Sequence, residues 1–100
     1  MTRVRPLASH HGIADQIGRA AISVPANIAE AYALGTSGQL IRGLRIAYGS
    51  AAELQTLLWI ARQAGALSSD EEGAQAVADL ERVTRMLIGL LKHYRARVGP

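Results

Sequence analysis

Apolar residues recur along this chain at steps of three and four, the pattern of helices that each bury one face. Ile13, Ile17, Ala21, Val24, Ile28 and Ala31 mark the first such face, over about residues 13–33. Leu34-Gly35-Thr36-Ser37-Gly38 then reads as a stop and a start, with Gly35 ending one helix and Thr36 or Ser37 capping the next. The second segment, about residues 37–64, has the most regular pattern: Leu40, Leu44, Ala47, Ala51, Leu54, Leu58 and Ala61 form a seam of a and d positions. Its alanines, with Gly49, predict close approach of a neighbouring helix. Ile46, Leu57 and Ile60 form a second stripe, and Tyr48 and Trp59 lie on another flank. A helix apolar on several sides is expected at the centre of a bundle or on an oligomer surface. Gly65 ends it, and Ser68 or Ser69 caps a third segment, about residues 70–97, with the seam Val77, Leu80, Thr84, Leu87, Leu91, Tyr94 and Val98.

Pro25 interrupts the first segment. Its ring removes a backbone donor and clashes with the carbonyl four residues back, at a cost of about 3 kcal/mol inside a helix. Either a turn lies there or a kinked helix runs through. A turn would make Gln16 to Ile28 a DNA-reading helix-turn-helix, with Ser23 capping the second helix and Pro25 in its first turn. The register opposes this: Ala21 stands where the turn glycine belongs, and the connection is one residue short. The following helix carries Asn27 and Glu30 but no cation for phosphates or guanines. The apolar face from Ile13 through Ala31 favours a kink within one helix, with Ser23 bonding back to the Arg19 carbonyl and Asn27 offering its amide nearby.

Composition narrows the class. Hydrophobic residues make up 49% but aromatics only 4%, with no Phe, so the core is aliphatic and the strong helix formers dominate. An all-α protein is expected: one domain over residues 1–100, folded as an up-down helical bundle of three long helices, with residues 1–11 flexible. Three amphipathic helices in so short a chain leave a thin core, which favours association with further copies. Residues 1–11 lack the apolar run of an export signal, and Arg42, Arg45, Glu53 and Arg62 divide the longest apolar stretch, so a cytoplasmic protein without membrane contact is expected.

Catalytic signatures are missing. The sequence has no cysteine, Glu-x-x-His, His-Glu-x-x-His or phosphate-binding glycine loop, and Ser23 has no nearby histidine to activate it. Adjacent His10 and His11 do not make a metal site, so no enzyme activity, cofactor or metal is expected. Charge points elsewhere. The net charge is +3 and ten of the eleven cationic residues are arginine, whose guanidinium fork suits phosphate. Arg19, Arg42, Arg45, Arg62, Arg82, Arg85, Lys92, Arg95 and Arg97 are the candidate nucleic-acid contacts. Arg45 has an alternative role as the ion-pair partner of Glu53 or Glu30. In the third segment acids precede bases, which also complements the helix dipole.

Gln16-Ile17-x-Arg19-Ala20-Ala21-Ile22-Ser23-Val24-Pro25-Ala26-Asn27-Ile28-Ala29-Glu30 resembles the signature of the four-helix-bundle proteins encoded in intervening sequences of bacterial large-subunit rRNA genes. That family includes the accessory variability proteins of diversity-generating retroelements. Leu44-Arg45-Ile46-Ala47-x-Gly49-Ser50-x-x-Glu53-Leu54-x-Thr56 resembles its second signature, and Arg85-Met86-Leu87-x-Gly89-Leu90 its last helix. Ser23, Pro25, Asn27, Glu30, Gly49, Ser50 and Glu53 are the structural motif residues that the resemblance implies. Pro6 and Gly12 match the end of the family's first inter-helix loop, so its first helix would precede Met1. Gly18 and Gly43 stand where the family has basic and bulky residues, which removes charge and bulk from a possible nucleic-acid surface. The resemblance implies a homo-oligomer, commonly a ring of five protomers, with a basic surface. Its retroelement members bind a reverse transcriptase and template RNA. A purely structural protein-interaction scaffold is the alternative.

Overall fold

The computed structural model describes residues 11–65 and 70–98 of the chain. They form three helices, α1 (His11–Leu34), α2 (Ser37–Gln63) and α3 (Asp70–Val98), with no strand among the described residues. The protein is all-α, and a helical bundle describes it. The expected flexibility of residues 1–11 falls outside the described residues, apart from His11, which opens α1.

The break between α1 and α2 is built by two residues. Gly35 takes φ +78°, a left-handed conformation that costs glycine nothing and ends the helix. Thr36 then caps α2, its hydroxyl accepting the Gln39 N–H at 3.2 Å. Gly65, at φ +69°, follows the end of α2 in the same way. The expected caps Ser68 and Ser69 lie outside the described residues.

α2 is the central helix, with α1 on one flank and α3 on the other. Leu44, Ala47, Ala51 and Leu87 are fully buried and form one core with Val24, Leu80 and Leu91. Leu40, Leu54 and Leu58 complete the seam at half-burial. On α1 Val24 and Ala31 are buried and Ile13, Ile17 and Ile28 half-buried, as the apolar pattern predicts, while Ala20 is buried in place of the exposed Ala21. α1 and α3 meet at one end, where Tyr32 and Tyr94 pack edge to face with ring centroids 6.2 Å apart. Tyr32 Oη donates to Tyr94 Oη at 3.4 Å, and this hydrogen bond raises the Tyr32 phenol above its usual value.

The backbone remains helical through Pro25, so the turn that a helix-turn-helix needs near residues 21–23 does not exist. The ring sits on an exposed face of α1, and polar contacts bind the two helices beside it. Asn27 Nδ2 donates to the Ser23 carbonyl at 2.8 Å and lies 2.9 Å from Ser23 Oγ. Ser23 Oγ shares a 2.7 Å hydrogen bond with Ser50 Oγ on α2. Ser23 thus reaches across to the next helix instead of back to Arg19.

Gly43, not Gly49, is the glycine that brings two helices together. A Cβ built at Gly43 would lie 2.5 Å from the Ala31 Cβ and 3.1 Å from the Asn27 carbonyl oxygen, whereas nothing lies within 4 Å of one at Gly49. Gly43 therefore belongs to the α1–α2 contact, and it also lines the cleft between these helices beside Asn27, Glu30 and Arg42. Gly43→Ala is expected to lower the thermal unfolding midpoint, because an overpacking cost of about 1–3 kcal/mol exceeds the helix-propensity gain of about 0.5–1 kcal/mol. Thermal denaturation followed by circular dichroism checks the sign, and a raised midpoint would contradict this close approach.

Candidate nucleic-acid interface

The seam steps that bury one side of α2 and α3 also align the side chains beside it. On α2, Arg45, Tyr48, Ala52, Gln55, Trp59 and Arg62 repeat at steps of three and four. On α3, Glu81, Arg85, Ile88, Lys92 and Arg95 do the same. Arg45 shares a cleft with Arg95, and Trp59 shares another with Val77, so the two helices run antiparallel. Two clefts open along their common side.

The first, about 520 Å³, is lined by Arg45 and Tyr48 from α2 and by Ile88, Leu91, Lys92 and Arg95 from α3. Its walls carry three cations and no carboxylate. Tyr48 and Ile88 expose 38% and 36% of their surface, which gives the cleft an apolar patch between the charges. Helix geometry explains why these cations are unpaired. The positions three and four residues from Arg45, Lys92 and Arg95 hold Ile, Arg, Tyr, Gly, Leu, Lys, Ala and Val but no acid. Arg45 is not paired with Glu53 or Glu30; the ion pair among the described residues joins Arg82 to Asp79 at 3.9 Å on an exposed surface.

The second cleft, about 540 Å³, is lined by Gln55, Trp59, Arg62, Gln63, Gly65, Val77 and Glu81. Trp59 is 63% exposed there. A shallower surface joins Arg42 to Arg45 beside Gly38, Ile41 and Ile46, so the basic band extends around α2. Arg42 also reaches a cleft shared with α1, next to Asn27 and Glu30.

The nine candidate cations are all exposed, but they do not form one face. Arg45, Lys92 and Arg95 come together, with Arg42 at their margin. Arg62 stands in the Trp59 cleft beside Glu81, and Arg85 lies on the α3 stripe between the two clefts. Arg97 lines a cleft at the tyrosine pair, and Arg82 is held by Asp79. Arg19 stands on α1, away from these clefts. Of the motif residues, Ser23, Asn27 and Ser50 form the helix-joining network, while Pro25, Glu30, Gly49 and Glu53 are exposed. Ile88 was not foreseen as part of a site; its signal was its place on the α3 stripe between Glu81 and the terminal cations.

Among the described residues no three His, Asp or Glu side chains stand close enough to hold a metal ion, and no helix is long and apolar enough to cross a membrane. The fold and its surface define a small helical-bundle protein with an unpaired cationic cleft. The chain belongs to the 23S rRNA-intervening sequence protein family, whose family model matches residues 1–89. Lys92 and Arg95 lie just beyond that match. No curated protein and no solved structure matches the chain.

Proposed function

We propose that this chain is a non-enzymatic, cytoplasmic scaffold that self-associates and binds RNA phosphates in the α2–α3 cleft. The observation that carries this reading is the group Arg45, Lys92 and Arg95, three exposed cations without a carboxylate among them, set around Tyr48 and Ile88. Cations satisfied by neighbouring acids would have to break those pairs to bind a phosphate. Among the described residues these three have none to break. Membership in a family named for an rRNA intervening sequence makes RNA the polyanion of choice. The role that fits is accessory: presenting RNA to a nucleic-acid enzyme such as a reverse transcriptase, as the retroelement resemblance implies.

A filter-binding titration against structured RNA at two salt concentrations tests the reading. Three phosphate contacts predict a slope of log K against log salt of about −2 to −3. Absence of binding at low salt, or binding indifferent to salt, rejects it. Self-association is supported by large apolar side chains left in solvent on all three helices, including Ile22 at 70% and Met86 at 51% exposure. Light scattering reads the subunit number, for which the family resemblance supplies five. A protein-interaction scaffold without RNA is the second reading, favoured by those same exposed side chains.

A further inference from the structure

We infer that the Trp59 cleft is a stacking site for an unpaired nucleobase, so that the α2–α3 face takes single-stranded RNA in preference to duplex. This rests on the phosphate-binding reading above and adds a second, chemically different subsite to it. An indole with 63% of its surface in solvent is unusual for the residue type that buries most area on average. Its surroundings do not look like an apolar protein contact. Gln55, Arg62, Gln63 and Glu81 rim the cleft, and among the described residues Val77 is the other sizeable apolar side chain in its lining. Two amides, a guanidinium and a carboxylate are the groups that meet donor and acceptor edges of a base, while the indole offers its face.

Position supplies the second support. Trp59 lies on the same α2 stripe as Arg45 and Tyr48, and Glu81 on the same α3 stripe as Lys92 and Arg95. Arg45 and Trp59 are separated by about 21 Å of helix at ~1.5 Å per residue, the span of about six nucleotides at ~3.4 Å each. A strand whose phosphates rest on the cationic cleft would therefore reach the indole within one short segment. A duplex keeps its bases stacked inside and presents no free face there.

Trp59 is the chain's one tryptophan, so its emission reports this site alone. The probes are a single-stranded cytidine octamer and an RNA hairpin of about eight base pairs closed by a non-nucleotide linker, so that it has no unpaired base, both end-labelled for anisotropy at low salt. Quenching by the octamer but not by the hairpin is expected. Trp59→Ala should weaken octamer binding about 5- to 100-fold, with the salt slope unchanged, and leave hairpin binding intact. Trp59→Phe, which keeps an aromatic face, should retain most of the octamer affinity. An octamer that binds wild type and Trp59→Ala equally, without a change in emission, overturns the proposal. So does a fall in particle mass by light scattering on Trp59→Ala with octamer affinity retained, because a second copy of the chain would then be what covers the indole. Failure of both probes to bind at low salt defeats the phosphate reading beneath it, a separate and recognisable result.

Discussion

Leu87→Ala is expected to lower the thermal unfolding midpoint by roughly 10–30 °C, a loss matched among core truncations to alanine by that of Leu44. Leu87 and Leu44 are the largest side chains with no exposed surface, and they belong to the core in which α3 meets α2. Truncating a buried leucine costs about 2–5 kcal/mol, and the position in that range depends on how far the surroundings collapse into the gap. Ala47 and Ala51 of α2 belong to the same core, and their single methyl groups cannot swing into a gap. A cavity that persists puts the cost toward the upper end of the range. A domain of this size has about 5–15 kcal/mol in total, and one methyl-lined void removes a large share of it. The comparison substitution is Leu54→Ala at a half-buried seam position, where the loss should be clearly smaller. Circular dichroism melts of the two variants check the ranking. Equal shifts would mean that the core does not sit where Leu87 places it.

The same alanines explain why the fold was legible in sequence and much of its surface was not. A seam of alternating three- and four-residue steps has one consistent solution, a buried stripe, and the turn residues Gly35, Thr36 and Gly65 mark its ends by backbone conformation alone. Periodicity is less decisive where the stripe is broad. On α1 both Ala20 and Ala21 fit an apolar face, and only the docking angle of α2 selects Ala20. Glycine is ambiguous for a related reason. Gly43 and Gly49 look alike in sequence, yet the first meets Ala31 and the second meets open space, a distinction that depends on where the helix axes cross. Pro25 was readable as a choice between two structures, and the long apolar face pointed to the continuous helix that is found. Its motif neighbours proved to be joints between helices. Cations are the hardest to read, because a surface arginine obeys no periodic constraint. That Arg45 meets Lys92 and Arg95, residues from the other end of the chain, follows from antiparallel packing of α2 and α3. No local pattern contains that information.

Replacing Arg45, Lys92 and Arg95 together by alanine is expected to weaken RNA binding roughly a hundredfold at low salt, at about 1 kcal/mol for each exposed contact. The slope of log K against log salt should fall by about 2–3, since each phosphate contact contributes about 0.7–0.9. The loss should be similar for unrelated RNA sequences, because phosphate contacts carry no base information. Folding is not at risk: all three side chains are exposed, and the ion pair among the described residues does not involve them. Net charge alone could also weaken binding to a polyanion, so the informative control removes the same charge elsewhere. Arg19, Arg82 and Arg97 lie outside the cleft: the first on α1, the second beside Asp79 and the third at the tyrosine pair. Their combined replacement by alanine should reduce affinity only through the weaker overall field, by a factor well below that of the cleft variant. Salt-titrated filter binding of the two triple variants decides between a site and a diffuse attraction. Equal losses would assign binding to the net charge of the bundle, whereas a loss confined to the cleft variant would assign it to the place where α2 and α3 bring three unpaired cations together.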